Sequence, residues 1–524
     1  MDHGTHATTG SAGIDVAALL VRLILLLATA FVAGGGLFGG RPRALPAAVA
    51  AALAVASAFV FDVNPVGAAA HAMLVVAVPA LSVWRPNLAR WAAGALLVLV
   101  VVETSLGRSG LEFAADTVYI SAATAWFGLA QLREKPSRSG SLTLSLGLLL
   151  ALAGAAQLLL SGVAFDRRLW ESLFGLSLIA VVVLPLAVLF VRERKAAVLG
   201  VAVAFLAWTT FVALPEPDEP PVPGISLLRD VSLAGQQVPV LVSPQRPGRN
   251  LVHVPVAGLT VAGVPATQRL GADGYWAEVD LPAGRSDITL AADGDDTSLE
   301  VDTGDGPGLD VDPECATAAL GGLVAGRQEA LTSCPSASLS EEDAGSLTKM
   351  LAFLARRGAK AVTLVSDDSP RGAAAATVVR AAGLRVTSEP SPDGALVVVS
   401  GWEKAYQALT GPLPSYLYGV YLAPWLLNGP IVKSVPSSTI PLRFDPREQT
   451  AVSYAVALGD SFGGESPSVA GFRNWLGAQQ PAGKVQLFAS AQVSVMPYMD
   501  HDHAESGGQW VPGGTVVPVS VPLE

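Results

Sequence analysis

Apolar and polar positions divide this chain into two unlike halves. Up to about residue 214 the apolar residues form long runs, at 14–38, 45–62, 65–83, 88–104, 115–132, 141–163, 171–191 and 196–214. Each run approaches the ~20 residues that a bilayer core demands, so residues 1–214 are predicted to form a polytopic α-helical membrane domain of about eight spans. LPEPDEPPVPG (Leu214 to Gly224) breaks the pattern, and its proline and acid content predict a stiff linker at 215–224. Beyond it the period falls to two. QVPVLVSP, NLVHVPV, LTVAGV, YWAEVDLP, DITLAA and SLEVDTG alternate between Pro and Gly turns, which predicts a small antiparallel β-sandwich over 225–304. From 308 the period changes again. LTKMLAFLARRGA and PRGAAAATVVRAAGL have helical spacing, while AVTLVSD, RVTSE and ALVVVSG have the composition of strands. Alternating strands and helices predict a parallel sheet, hence an α/β domain over 308–495. The remainder, 496–524, joins a Met/His cluster to WVPGGTVVPVSVPL, a strand-and-turn segment.

Charge gives the membrane half a direction. Arg41 and Arg43, then Arg85 and Arg90, then Arg133, Lys135 and Arg138, then Arg192, Arg194 and Lys195 fall on every second connection. The intervening connections hold only Arg108 and the pair Arg167 and Arg168, beside Asp166 and Glu171. With the basic loops in the cytoplasm, both termini and the whole soluble half are expected on the extracytoplasmic side of a cell membrane. The first run lacks a basic leader and a small-residue cleavage site, so it is expected to remain as a span, with Met1 retained. The net charge of −11, concentrated in the soluble half, argues against a nucleic-acid partner. Cys315 and Cys334 are the only cysteines; they would form a disulfide in an oxidising compartment and remain free thiols in cytosol.

Candidate chemistry is sparse. Ionisable residues inside spans are costly and therefore functional candidates; here they are Arg22, His71, Glu103 and Asp116. His71 is open between a buried hydrogen-bonded residue and a metal ligand, and Met73, two residues on, does not share its helix face. GDSFG (Gly459 to Gly463) fits Gly-x-Ser-x-Gly, but TAVSYAVAL before it reads as helix where a nucleophile elbow needs a strand. No Walker motif, CxxC or HExxH occurs, and no enzymatic activity is expected. Four of the six histidines lie near the chain ends. In MDHGTH, the amine of Met1, two amides and the imidazole of His3 offer four nitrogens for a square plane, with His6 nearby, a set suited to Cu(II) or Ni(II). Met496, Met499, His501 and His503 mix thioether with imidazole, a soft set suited to copper.

Several stretches resemble known families. DTVYISAATAWFGLAQL (Asp116 to Leu132) and LLSGVAFDRRLWESLFGLSLIAVVVLPLAVLF (Leu159 to Phe190) resemble helices of the copper-resistance D family of bacterial membrane proteins. LVSPQRPGRNLVHVPV, ending near His253, is similar to that family's trailing β domain. Tyr119 stands where the family helix carries a histidine, which puts copper conduction through the membrane domain in doubt. MDHGTH also resembles the extracellular start of eukaryotic high-affinity copper transporters.

The region from 308 resembles type I periplasmic solute-binding proteins of the branched-chain amino-acid kind. The resemblance rests on CATAALGGLVAGRQEALTSCP, AVTLVSDDSPRG, YGVYLAPWL, PLRFDP and ESPSVAGFRNWL. It implies a Cys315–Cys334 disulfide and ligand contacts at Ser366, Asp367 and Tyr421, although most of the opening lobe is missing. The resulting expectation is a bacterial envelope protein handling copper, by binding, import or delivery to an extracytoplasmic acceptor protein. The alternatives are a membrane-anchored solute-binding or sensory protein for a small organic ligand, or an accessory membrane protein of specialised metabolism.

Overall fold

The computed structural model describes residues 16–39, 44–60, 64–105, 108–132, 139–163, 165–191, 193–479, 483–492, 509–511 and 513–524. It divides between Pro220 and Pro221 into two compact units.

The first unit is helical, with α1 (Val16–Leu37), α2 (Ala44–Val60), α3 (Pro65–Trp84), α4 (Pro86–Ser105), α5 (Gly110–Gln131), α6 (Ser139–Leu160), the single turn α7 (Arg168–Glu171), α8 (Leu173–Val188) and α9 (Arg194–Ala213). The apolar runs become helices because a backbone with no water to bond must satisfy itself within the segment. By length and composition five of them, α1, α3, α4, α6 and α9, can cross a membrane. Eight spans is thus more than length and hydropathy support. Helices α2 and α8 fall short in length, and α5 carries Glu112 and Asp116.

Helix α5 nonetheless buries much of its length, including Asp116, Tyr119, Ala123 and Phe127. A helix surrounded by neighbours need not be as apolar as one facing lipid. It lies close against α1, where a side chain at Gly34 or Gly128 would strike the other helix's backbone. The outer surface shows large apolar residues; Phe59, Trp84 and Phe190 are each 85% exposed. Such a surface suits lipid.

The second unit begins with two four-stranded antiparallel sheets. One has the order β1 (Leu227–Leu233), β2 (Gln236–Ser243), β3 (Gly248–Val254), β6 (Tyr275–Leu281). The other has the order β5 (Val264–Pro265), β4 (Thr260–Val261), β7 (Arg285–Ala292), β8 (Asp295–Asp302). Val240, Val252 and Val279 from the first meet Ile288, Leu290 and Val301 from the second in one core. The first sheet is buried on its other face too, where Leu241, Leu251 and Trp276 join the core of the α/β region. This explains why β2 and β3 end in continuous buried runs, as strands covered on both faces do.

The α/β region has α10 (Pro313–Val324), α11 (Glu341–Arg356), β9 (Ala361–Val365), α12 (Pro370–Ala381), β10 (Arg385–Thr387), β11 (Ala395–Val398), α13 (Trp402–Thr410), β12 (Val420–Leu422), α14 (Gly429–Lys433), β13 (Ser437–Leu442), α15 (Gln449–Phe462), α16 (Val469–Leu476), β14 (Gln486–Gln492) and β15 (Gly514–Pro518). Its seven-stranded sheet runs β10-β9-β11-β12-β13-β14-β15. Pairings are parallel from β10 to β13 and antiparallel from β13 to β15. Cys315 and Cys334 are joined in a disulfide that ties α10 to the loop after it.

Candidate functional site

The chain order of the strands locates a crevice. From β9 the chain passes through α12 to β10 on one side, and from β11 through α13 to β12 on the other. The direction of winding therefore reverses between β9 and β11. In open α/β sheets, ligands bind beyond the carboxyl ends of the strands at such a point. A crevice of about 670 Å³ lies there, walled by Leu270, Pro313 and Trp402 and rimmed by Ser336, Lys404 and Gln407.

Most of its polar groups already hold the fold together. One Asp367 carboxylate oxygen accepts the Ser369 hydroxyl at 2.6 Å and the other accepts the Gly401 N–H at 2.5 Å, so Asp367 staples the loop after β9 to the loop after β11. Asp312 caps α10 by accepting the Cys315 N–H at 2.7 Å. Ser369 likewise caps α12 through the Gly372 N–H at 3.0 Å. Arg371 makes a buried two-pronged pair with Glu314, at 2.6 and 2.5 Å, and lies over the Trp425 ring at 4.5 Å. Burial pushes the Glu314 carboxyl up, against the opposing pull of the Arg371 guanidinium. Among the described residues lining the crevice, this leaves the Lys404 ammonium and the Ser336 hydroxyl without a protein partner. The Trp402 indole N–H is satisfied by the Trp425 carbonyl at 2.9 Å, so its ring is presented as an apolar wall.

Of the three ligand contacts implied by the solute-binding resemblance, Ser366 and Asp367 fall on the loop after β9, and Asp367 lines the crevice. Tyr421 does not join them. It is a buried residue of β12, and its hydroxyl is engaged by Arg357, at the end of α11. Lys404, Ser336 and Trp402 carry no motif and emerge only from the strand order.

Met1, His3, His6, Met496, Met499, His501 and His503 lie outside the described residues. Among the described residues no group of three or more His, Cys, Asp or Glu side chains is arranged to hold a metal ion. His71 is buried, with Nδ1 2.9 Å from Glu103 Oε2 and Nε2 2.8 Å from Thr29 Oγ1, so both ring nitrogens have protein partners. Tyr119 donates its hydroxyl to the Ala204 carbonyl at 3.1 Å and stacks on Trp208. Asp116 accepts from Trp208 Nε1 at 2.9 Å, Gln157 Nε2 at 2.6 Å and Arg108 at 2.9 Å, making a polar knot between α5, α6 and α9.

The histidine in the β-domain motif is also structural. His253 is buried, stacked on Trp276 at 3.8 Å, and bonded to Glu465 at 2.8 Å and the Tyr275 carbonyl at 3.2 Å. Asn250 of the same motif closes its turn by donating to the Arg246 and Gly248 carbonyls and accepting from the Gln245 N–H. Ser461, in the Gly-x-Ser-x-Gly match, lies within α15 and not on a strand-to-helix turn. Comparison with family models, with curated proteins and with solved structures finds no match for this chain.

Proposed function

We propose that this is a multi-pass protein of a bacterial envelope whose soluble unit, outside the cytoplasm, receives a small organic ligand bearing an acidic group. The observation that carries the reading is the crevice between β9 and β11, with an aromatic wall at Trp402 and an uncommitted cation at Lys404. Small-molecule sites combine an apolar wall with a few convergent polar groups; here Leu270, Pro313 and Trp402 supply the wall, in a lining that is otherwise mostly polar and includes Glu403 beside Lys404. The alternation of basic loops supports the orientation, with α2, α5 and α8 crossing beside the five long apolar helices. The disulfide agrees with an oxidising compartment. The reading keeps the likeness to one lobe of a type I solute-binding protein.

The test is thermal unfolding of the full chain in detergent against a panel of amino acids and short organic acids. A ligand at 100 times its Kd stabilises by about 2.7 kcal/mol, and that gain is expected to vanish in Lys404→Ala. Absence of any stabilising acid from the panel would overturn the reading.

A second reading, copper handling, is favoured by one observation. Gln492 and Gly514 are register partners in β14 and β15, so the connection carrying Met496, Met499, His501 and His503 starts and ends on adjacent strands. Holding the two ends of the connection together limits the entropy cost of gathering donors. Copper titration of the full chain is expected to show stoichiometric binding that is lost in the His501→Ala, His503→Ala double variant; no binding above background removes this reading.

A further inference from the structure

A cavity of about 450 Å³ lies in the membrane unit, between α1, α2, α3 and α4. Its lining is apolar except for Arg22, Ser57, Asn64, His71, Glu103 and Thr104. It is large and polar enough to hold water. The only titratable side chains on it, among the described residues, are Arg22 from α1, His71 from α3 and Glu103 from α4, three helices that are each able to cross a membrane.

The hydrogen bonds restrict where protons can reside. The Thr29 hydroxyl lies 2.7 Å from the Leu25 carbonyl and 2.8 Å from His71 Nε2; when it donates to the carbonyl, its oxygen accepts from Nε2–H. The 2.9 Å contact between Nδ1 and Glu103 Oε2 then needs one proton, either on the ring, giving imidazolium and carboxylate, or on the carboxyl, giving two neutral groups. Both arrangements have the same net charge. With no proton in that contact, a nitrogen lone pair would face a carboxylate.

We propose that His71 and Glu103 form a one-proton binding site in the membrane unit, with the Thr29 hydroxyl as its swivel. In the loaded state the Thr29 O–H points at Leu25 and Nε2 keeps its hydrogen. In the unloaded state one proton has gone to cavity water, Nδ1–H donates to the Glu103 carboxylate, and the Thr29 O–H turns to donate to the bare Nε2. Every nitrogen and hydroxyl keeps a partner in both states, and the two differ by one proton. Both line the cavity, and Glu103, whose side chain is 32% exposed while that of His71 is 2% exposed, is the more accessible of the two. Arg22, within electrostatic reach of Glu103, balances the negative charge of the unloaded state. A site of this kind, on spanning helices and open to water on one flank, would let the membrane unit load and release a proton.

The test uses the full chain in lipid nanodiscs, with ¹⁵N-histidine resonances and the infrared carboxyl stretch followed from about pH 4 to 9. Signals of the pair are assigned by their loss in His71→Gln and Glu103→Gln. The expected result is one common midpoint for the ring and the carboxyl, with the Nε2 resonance changing between the two ends. Thr29→Ser, which keeps the hydroxyl, is expected to leave the midpoint in place, whereas Thr29→Val displaces it by about half a pH unit or more. Separate midpoints for ring and carboxyl, or a ring unchanged across the range, would overturn the proposal.

Discussion

Glu314 and Arg371 are almost fully buried, at 3% and 4% side-chain exposure, and each is tolerable only because of the other. Removing one leaves an unpaired charge in a low-dielectric interior, which typically costs about 3 to 5 kcal/mol. Glu314→Ala is therefore expected to lose stability on that scale in denaturant unfolding, and more than Glu314→Ala combined with Arg371→Met.

Asp273 is a different case. Burial, with the Glu465 charge adding to it, pushes its carboxyl up to about 6, while its side chain accepts the Ser466 N–H at 2.9 Å. An acid raised in the folded state holds its proton there after the unfolded chain has released one. Its contribution is thus favourable at low pH and lost as pH rises from about 4 through 6. Asp273→Asn removes that slope. From pH 4 to 7 the parent is expected to lose stability relative to the variant, by no more than about 3 kcal/mol; parallel pH profiles would refute the assignment. Neither Glu314 nor Asp273 belongs to a motif, and what makes each of them matter is burial, which composition does not reveal.

At the scale of elements, periodicity was a sound guide. AVTLVSD, PRGAAAATVVRAAGL and ALVVVSG become β9, α12 and β11, and TAVSYAVAL becomes part of α15. Hydropathy alone leaves α5 out of the spans, because it cannot tell a lipid-facing helix from one wrapped by neighbours. The polarity of α5 is absorbed by the Arg108, Gln157 and Trp208 donors around Asp116. The disulfide works at this scale too. It closes a loop of sequence separation 19 against α10, and a crosslink of that size stabilises by about 3 kcal/mol. Replacing Cys315 and Cys334 together by Ser is expected to lower the unfolding midpoint of the soluble unit, read by tryptophan fluorescence of the full chain. A midpoint unchanged by the replacement would show the loop to be held by its other contacts, such as the Arg327 bond to the Leu476 carbonyl.

For the whole molecule, the proposed orientation makes a prediction about two loops. Phe165, 80% exposed in the loop after α6, is expected on the outer side, and Arg85, between α3 and α4, on the inner side. In intact cells a membrane-impermeant maleimide is expected to label Phe165→Cys and spare Arg85→Cys; the reverse pattern would invert the topology.

By itself the sequence determined the division at the Pro-rich stretch, the type of most elements and the cysteine pair available for bonding. All of these follow from local composition and period, which a helix or strand expresses within a few residues. Only the tertiary structure decided which polar groups meet. Thr29, His71 and Glu103 come together from three helices. Likewise, Lys404 and Trp402 line a crevice only because the chain reverses its winding between β9 and β11. The first β-sheet is covered on both faces only because the α/β core closes over it. Such meetings depend on the path of the whole chain, and the free energy that settles it is summed over long-range contacts that no short window of residues contains.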